Sequence, residues 1–188
     1  MRNLVAFMHM SLDGFAAGPN GELDWVAYDE ELEQYAAEIV DSVGAALYGR
    51  VTYQMMEYWR TVLGNPAATA HERNHAAWIE AIPKVVVSTT LSGVDWHNTT
   101  IIADNLVEEI NQRKQLPGKD IVIFGSPSLT QTLAQLGLVD EYQLTVSPVL
   151  LGNGLQFFAP LAEKQSLQLL SNKVFASGAL GLHYKVVK

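Results

Sequence analysis

Two segments of this chain share one pattern, and they constrain its fold more than any other feature. Each is an apolar run that stops at a glycine and passes at once into residues that start a helix, at Gly49 and at Gly125. A buried strand followed directly by a helix is typical of α/β proteins. Such a turn also directs the free N–H groups of the new helix at an anion. The pair therefore predicts an α/β fold with a phosphate-bearing ligand.

Each turn also has an interpretation without a ligand. In the first, Thr52 caps the helix and Arg50 is solvated; in the second, Ser126 caps the helix and Pro127 occupies its first position. Arg50 would nevertheless be a strong bidentate phosphate partner. Because both turns occur in one chain, we interpret them together as favouring a phosphate-rich ligand such as a nucleotide.

Composition narrows the class of protein. The 188 residues, 48% of them hydrophobic and 17% charged, are sufficient for one core, so we expect a single domain over residues 1–188. A net charge of −8 with only 12 Lys and Arg disfavours nucleic acid and acidic membrane surfaces as partners. The absence of cysteine excludes disulfides and thiolate metal sites. We expect no signal peptide and no membrane span, and therefore a cytoplasmic protein.

The order of the segments predicts the architecture. Residues 4–10 are almost uniformly apolar, as in a central strand buried on both faces. Strands and helices alternate through the first three-quarters of the chain, and residues 167–175 and 179–187 form a closing hairpin around Ser177-Gly178. This pattern predicts a mostly parallel central sheet with helices on both faces and an antiparallel C-terminal hairpin.

Local signals predict where several helices begin and end. Asp29 is the expected cap of the first helix and Gly44 its end. Asp104 is the expected cap of a helix that runs to about residue 114. In the helix that follows Ser126, the predicted buried face consists of Leu129, Leu133 and Leu136.

An ordered set of motifs resembles the dihydrofolate reductase superfamily, and most closely the reductase domain of the bifunctional riboflavin-biosynthesis deaminase-reductase and its stand-alone relatives. In chain order the set is Ser11-Leu12-Asp13-Gly14, Trp25, Gly49-Arg50-Val51-Thr52-Tyr53, Val87-Ser88-Thr89, Ile123-Phe124-Gly125-Ser126, Leu138-Val139-Asp140-Glu141 and residues 148–154. The likeness runs along nearly the whole chain. It implies a dihydrofolate reductase-like three-layer α/β fold.

The resemblance implies NADPH as the cofactor. Arg50 would approach the pyrophosphate and the adenosine 2′-phosphate, and the loop that starts at Asp13 would close over the cofactor. The full set of implied cofactor-binding residues is Asp13, Gly49, Arg50, Thr52, Ser88, Thr89, Gly125, Ser126, Ser128 and Leu129. This chain has Gly125-Ser126 where family members usually have a Gly-Gly pair.

The resemblance also implies a reaction, the transfer of a hydride to a pterin or aminopyrimidine substrate. Folate enzymes grip the pterin with one carboxylate on the first helix, and Asp29 and Glu31 both lie at that point of this chain. The preferred substrate is 5-amino-6-(5-phosphoribosylamino)uracil or a similar precursor of riboflavin, and dihydrofolate is the second choice. The deaminase half is missing, because its zinc site needs cysteines. A homodimer is expected, with residues 148–154 as a plausible contact.

Two alternatives stand beside this interpretation. His71, Glu72 and His75 match the H-E-x-x-H pattern, in which two histidines one helical turn apart bind zinc and the glutamate activates water. A charged, solvated helix face explains the same residues, and no metal site is expected. A nucleotide-binding protein without turnover is the other alternative, because a fold alone does not imply a reaction.

Overall fold

The computed structural model describes residues 1–187. Its strands are β1 (Leu4–Ser11), β2 (Phe15–Ala17), β3 (Val43–Gly49), β4 (Lys84–Val87), β5 (Thr99–Ile102), β6 (Asp120–Phe124), β7 (Glu141–Ser147), β8 (Leu155–Gln156), β9 (Ser166–Val174) and β10 (Leu180–Val187). Its helices are α1 (Glu30–Ser42), α2 (Arg50–Met56), α3 (Trp59–Val62), α4 (Ala70–Ala81), α5 (Leu106–Gln115) and α6 (Pro127–Gln135). None of these helices is long and apolar enough to cross a bilayer.

Eight strands form one sheet in the order β5-β4-β3-β6-β1-β7-β10-β9. The six strands from β5 to β7 are parallel, and β10 pairs antiparallel with both β7 and β9. The predicted mostly parallel sheet with an antiparallel C-terminal hairpin is therefore confirmed. The apolar first strand lies between β6 and β7, as its burial pattern requires.

The two faces of the sheet carry separate apolar cores. We name them the α1 face, which α1, α2 and α4 cover, and the α6 face, which α5 and α6 cover. Alternation along β1 sends Val5 and Phe7 to the α1 face and Ala6 and Met8 to the α6 face. Leu133 of α6 is fully buried, and a side chain of this kind contributes about 1.5–3 kcal/mol on burial.

Three local predictions, on the end of α1, the cap of α5 and the buried face of α6, are wrong. Gly44 does not end α1; it lies inside β3 at a bulge, where a Cβ would come within 2.5 Å of the carbonyl oxygen of Lys119. The N-cap position of α5 is held by Asn105 rather than Asp104. Leu136 lies at the C-terminal cap of α6 and is 46% exposed, while Ala134 takes its place in the core.

A short ribbon outside the main sheet was not predicted. β2 and β8 pair antiparallel, with Ala17 opposite Leu155. Strands of two and three residues are too short to show a hydrophobic period, so only long-range contacts reveal them. Ala16 and Phe157 are buried in the core of the α6 face and fix the ribbon to the sheet.

Candidate functional site

The carboxyl ends of the six parallel strands lie along one edge of the sheet, and the predicted site residues collect there. Gly49 ends β3, and Gly125 follows the neighbouring strand β6. Ser88 follows β4 on one side of this pair, and Asp13 follows β1 on the other. Because β3 leads to a helix on the α1 face and β6 to a helix on the α6 face, this edge has the crevice in which open α/β sheets bind ligands.

The two glycine turns are joined by a hydrogen bond. The backbone N–H of Gly49 donates to Oγ of Ser126 over 3.0 Å, and the same hydroxyl donates to the carbonyl oxygen of Phe124 over 3.1 Å. A Cβ at Gly125 would lie 3.5 Å from Cγ2 of Thr52, so the second turn packs against the first turn of α2. The two predicted anion sites are therefore parts of one surface.

The Ser126 hydroxyl does not cap its own helix, contrary to the prediction. Ser126 stands at the N-cap position of α6, but its φ of 53° and its bond to Gly49 turn the side chain away from the helix. In the described part of the chain no side chain caps α6, so the amides of its first turn remain available to an anion. Leu129 can offer only its backbone there because its side chain is buried, whereas Ser128 is exposed.

Arg50 carries a positive charge at the start of α2. Its Nη1 donates to Oε1 of Gln54 over 3.0 Å, and this partner is neutral. Within residues 1–187 no carboxylate forms an ion pair with the guanidinium, which is exposed. An exposed arginine without a counter-charge, beside free helix amides, is suited to a bidentate bond with a phosphate.

The fold itself does not explain the glycine at position 49. Its φ is −77°, which any residue adopts, and a Cβ would meet Leu129 at 3.7 Å and Ser126 at 3.8 Å, which are ordinary contacts. A glycine that neither backbone nor packing demands is expected where a ligand approaches the main chain closely. Gly49 therefore fits a turn that holds a phosphate.

The hydroxyl of Ser88 shapes the chain after β4. Its Oγ accepts hydrogen bonds from the amides of Thr90 and Leu91 over 3.2 and 3.0 Å, while Thr89 is exposed. A cavity of about 470 Å³ lies between this segment and α2. It is lined by Tyr53, Gln54, Glu57, Leu91, Gly93, Val94 and Asp95. The contact that the resemblance implies between Ser88 or Thr89 and a cofactor stays a prediction.

Asp13 ties two loops of the carboxyl edge together. Its carboxylate accepts a hydrogen bond from Oγ of Ser11 over 2.6 Å and from the amides of Leu151 and Gly152 over 3.1 and 2.7 Å. The Ser11 hydroxyl and these amides lower the pKa of Asp13. These bonds hold the loop after β1 against residues 148–154. The contact between Asp13 and a cofactor stays a prediction, because the carboxylate is already bound to this second loop.

The two candidate carboxylates of α1 both bind the turn between β9 and β10. Asp29 caps α1, as predicted, by accepting from the amide of Leu32 over 2.7 Å, and its second oxygen accepts from the amide of Ser177 over 2.7 Å. Glu31 accepts from the amide of Ala176 over 2.9 Å. The amide of Leu32, followed by Ser177, lowers the pKa of Asp29. Their role in orienting an acceptor stays a prediction.

His9 is a partly buried polar residue that the sequence reasoning did not assign to the site. It lies in β1 on the α1 face, where its ring hydrogen-bonds to Thr145 and Tyr28. Burial lowers the pKa of His9 to about 4, so the ring is neutral at pH 7. The available signal was the interruption of an otherwise apolar strand by one ionisable residue.

The H-E-x-x-H residues are explained by their own helix. Glu72 accepts from the amide of Thr69 over 2.7 Å, while its own amide donates to Oγ1 of Thr69, which completes a capping box. The ring of His75 packs against Trp59 at 4.4 Å between centroids, and burial lowers its pKa to about 4. In residues 1–187, no three His, Asp or Glu side chains converge as metal ligands. Helix capping by Glu72 and ring packing of His75 therefore account for these two residues without a metal.

Comparison with known proteins identifies the relatives of this chain. Residues 2–180 match the family model of the RibD C-terminal domain. The uncharacterized protein YyaP of Bacillus subtilis (strain 168) is 31% identical over 183 residues, which cover 97% of this chain and 94% of YyaP. The match therefore extends over the whole edge described above.

Solved structures agree on the fold. A putative riboflavin biosynthesis protein from Shewanella sp. PV-4 superposes with a TM-score of 0.75 at 21% identity and covers 99% of both chains. A dihydrofolate reductase from Enterococcus faecalis, complexed with NADP(H), superposes with a TM-score of 0.63 at 14% identity, covering 99% of this chain and 97% of its own. These similarities confirm the dihydrofolate reductase-like fold that the motifs implied.

Proposed function

This chain belongs to the family of RibD C-terminal domains, and from that premise we propose that it is an NADPH-dependent reductase that acts on a small nitrogen heterocycle. The preferred acceptor is 5-amino-6-(5-phosphoribosylamino)uracil or a close analogue, and dihydrofolate is the second candidate. NADPH supplies a hydride when it is bound. The protein contributes placement of the two reactants, exclusion of water and a source of the proton.

The observation that carries the proposal is the joined pair of glycine turns. Gly49 and Ser126 hold the first turns of α2 and α6 together, and Arg50 stands beside them without an anionic partner in the described chain. Free amides from two helices and one guanidinium match the oxygens of a pyrophosphate with a neighbouring phosphate. The donor set therefore fits NADPH, with the 470 Å³ cavity beside α2 as room for the adenosine.

Replacement of Arg50 by alanine tests the cofactor. We expect Arg50→Ala to weaken NADPH binding by about 10- to 150-fold, because a hydrogen bond to a charged group contributes on the order of 1.5–3 kcal/mol. NADH, which lacks the 2′-phosphate, should lose much less. Binding is measured by quenching of tryptophan fluorescence or by calorimetry, with Arg73→Ala on the exposed surface of α4 as the matched control.

The outcomes separate three assignments. An equal loss for NADPH and NADH would place Arg50 on the shared pyrophosphate. No loss for either dinucleotide would overturn the role of Arg50 in cofactor binding. Wild-type protein that binds neither dinucleotide would overturn the proposal that the chain is a reductase. NADPH oxidation in the presence of the aminouracil phosphate or dihydrofolate then identifies the acceptor, and binding without oxidation would favour the nucleotide-binding alternative.

We further propose that the protein is a homodimer that acts in the cytoplasm and uses residues 148–154 in the dimer contact. Leu150 is 70% exposed and Leu12, whose amide donates to Val149, is 63% exposed, so this loop presents adjacent apolar side chains. Leu150→Glu should shift the sedimentation coefficient to that of a monomer, whereas Leu63→Glu at the C-terminal cap of α3, where the leucine is 47% exposed, should not. A wild-type monomer at micromolar concentration would contradict this proposal.

A further inference from the structure

β1 extends past its neighbour β6 at the carboxyl edge. Phe7 pairs with Phe124, the last residue of β6, and the amide of Gly125 donates to the carbonyl oxygen of Phe7 over 3.2 Å. In the described chain, the pairing of β1 beyond Phe7 is with β7 alone, and there His9 lies opposite Thr145. Since each strand residue adds about 3.3 Å, His9 lies about 7 Å beyond the end of the β1–β6 pairing. The edge therefore steps up from the Gly125 turn to His9, and this step is called the notch below.

The order of the strands sets the direction in which a dinucleotide crosses the edge. This step rests on the proposed function, which assigns the adenosine to the cavity between α2 and the segment after β4, and the pyrophosphate to the joined turns at Gly49 and Gly125. In the sheet order β4-β3-β6-β1, the next strand after β6 is β1, about 4.8 Å away. The nicotinamide end of the cofactor is therefore directed at the notch beside His9.

A chain of three polar side chains ends in this notch. The Nδ1 atom of His9 lies 2.5 Å from Oγ1 of Thr145, and its Nε2 atom lies 3.1 Å from the hydroxyl of Tyr28. Thr145 is only 1% exposed, whereas Tyr28 is 58% exposed. The rings of Phe7 and Tyr28 meet the His9 ring edge-on at 5.1 and 5.4 Å. The chain thus runs from the buried sheet to an accessible phenol.

The direction of these hydrogen bonds follows from burial. Within residues 1–187, His9 is the only side chain that bonds to Oγ1 of Thr145. If Nδ1 carried the proton, the hydroxyl hydrogen of Thr145 would be buried without an acceptor, which is unfavourable. Thr145 therefore donates to Nδ1, the Nε2–H group of His9 donates to the oxygen of Tyr28, and the Tyr28 hydroxyl hydrogen is left to point outward.

We propose that Tyr28 is the proton donor of the reductase, and that His9 and Thr145 position it. With the hydride supplied by NADPH, Tyr28 gives its O–H proton to the nitrogen or oxygen that receives the electron pair of the reduced C=N or C=O bond. The phenolate that forms is held by the Nε2–H group of His9 and regains a proton from water, which reaches this exposed side chain. Partial desolvation of the hydroxyl and the nearby Glu33 raise the pKa of Tyr28, so the hydroxyl holds its proton at neutral pH.

Asp29 and Glu31 are less suited than Tyr28 to donate the proton. Both already accept hydrogen bonds from the turn between β9 and β10, at Ser177 and Ala176. The amides of Leu32 and Ser177 lower the pKa of Asp29, so its carboxylate is not a proton source at neutral pH, and Glu31 is already bound to the amide of Ala176. Tyr28 directly precedes Asp29, so the position of the donor still follows from the start of α1.

Nuclear magnetic resonance of the histidine side chains tests the placement without any acceptor. In protein labelled with ¹⁵N-histidine, His9 should show the Nε2–H form at pH 7, and its signals should move on addition of NADPH. They should not move with 2′,5′-adenosine diphosphate, which fills the adenosine end only. The signals of the exposed residues His71 and His97 serve as internal controls. Thr145→Val should change the proton distribution on the His9 ring, because Nδ1 then loses its donor.

Removal of the Tyr28 hydroxyl tests the reaction. Tyr28→Phe should lower kcat about 100-fold with whichever of the two probe acceptors turns over, and should change KM and the Kd of NADPH by less than about threefold. Tyr58→Phe is the matched control, since Tyr58 is equally exposed at 59% and its ring contacts Trp59 rather than His9.

The outcomes distinguish this inference from the function on which it rests. Wild-type protein that does not bind NADPH overturns both. NADPH binding that leaves the His9 signals in place overturns the inference alone, as does a Tyr28→Phe variant with the wild-type kcat. If neither acceptor is reduced, the His9 signals still decide whether the nicotinamide end of NADPH lies beside His9. A shift with NADPH but not with 2′,5′-adenosine diphosphate supports this placement, and no shift with NADPH overturns it.

Discussion

Replacement of Lys114 by methionine is expected to lower the free energy of unfolding by about 3–5 kcal/mol, the usual cost of breaking a buried ion pair from one side. Lys114 of α5 is 5% exposed; its ammonium group contacts the carboxylate of Asp140 and donates to the carbonyl oxygen of Leu138 over 3.1 Å. The same carboxylate accepts from the amide of Leu4 over 2.9 Å. The lysine therefore ties α5 to the starts of β1 and β7. Urea unfolding measures the change.

Two further variants make this result specific. Lys119→Met removes an exposed lysine that bonds to the carbonyl oxygen of Asp41, and should cost no more than about 0.5 kcal/mol. Adding Asp140→Asn to Lys114→Met should recover at least about 1 kcal/mol, because the buried negative charge is removed together with its cation. A Lys114→Met protein within about 1 kcal/mol of the wild type would contradict the assignment. NADPH binding should be unchanged, since this pair lies at the amino end of the sheet.

Gly154→Ala is expected to destabilise the protein by about 3 kcal/mol and to weaken NADPH binding. Its φ is 152°, and a Cβ there would overlap the carbonyl oxygen of Ala17, a backbone atom that cannot rotate away. Overpacking of this kind costs about 1–3 kcal/mol, in addition to the strain of the backbone. Ala17 pairs with Leu155, so β2 and β8 would separate and the loop after β1 would lose its support.

Gly152→Ala provides the comparison. Gly152 also has a positive φ, 71°, but a Cβ there meets nothing within 4 Å, so only the backbone cost of about 1 kcal/mol is expected. Limited proteolysis between residues 12 and 28 should be faster in Gly154→Ala than in Gly152→Ala. Equal stability and equal proteolysis of the two variants would show that the ribbon does not hold this loop.

Local sequence signals predicted the elements well where one short segment carries all the information. The apolar run of β1, the cap at Asp29 and the two turns at Gly49 and Gly125 depend on neighbours within about four residues. The predicted cap at Asp104 missed Asn105 by one residue, which is the usual precision of a boundary. Segment order and motifs together were therefore sufficient for the fold class.

Contacts between distant segments could not be predicted in this way. Ser126 looks like a helix cap in sequence, yet its hydroxyl accepts from Gly49, 77 positions away. Asp29 is predicted from sequence only as a helix cap or pterin ligand, and Glu31 only as a pterin ligand, yet both bind a turn about 145 residues further along the chain. The short strands β2 and β8 exist only because each pairs with the other. Each of these contacts depends on strand order and register, which hydrophobic periodicity does not encode.

The sequence alone determined the α/β class, the parallel core strands and the chemistry available at two glycine turns, because these depend on residue types and their local spacing. The tertiary structure alone decided that the turns form one surface, that Asp13 and the α1 carboxylates hold loops, and that His9 meets Thr145 and Tyr28. The physical reason is register: adjacent strands bring side chains within 3 Å that the chain keeps more than a hundred residues apart, as at His9 and Thr145.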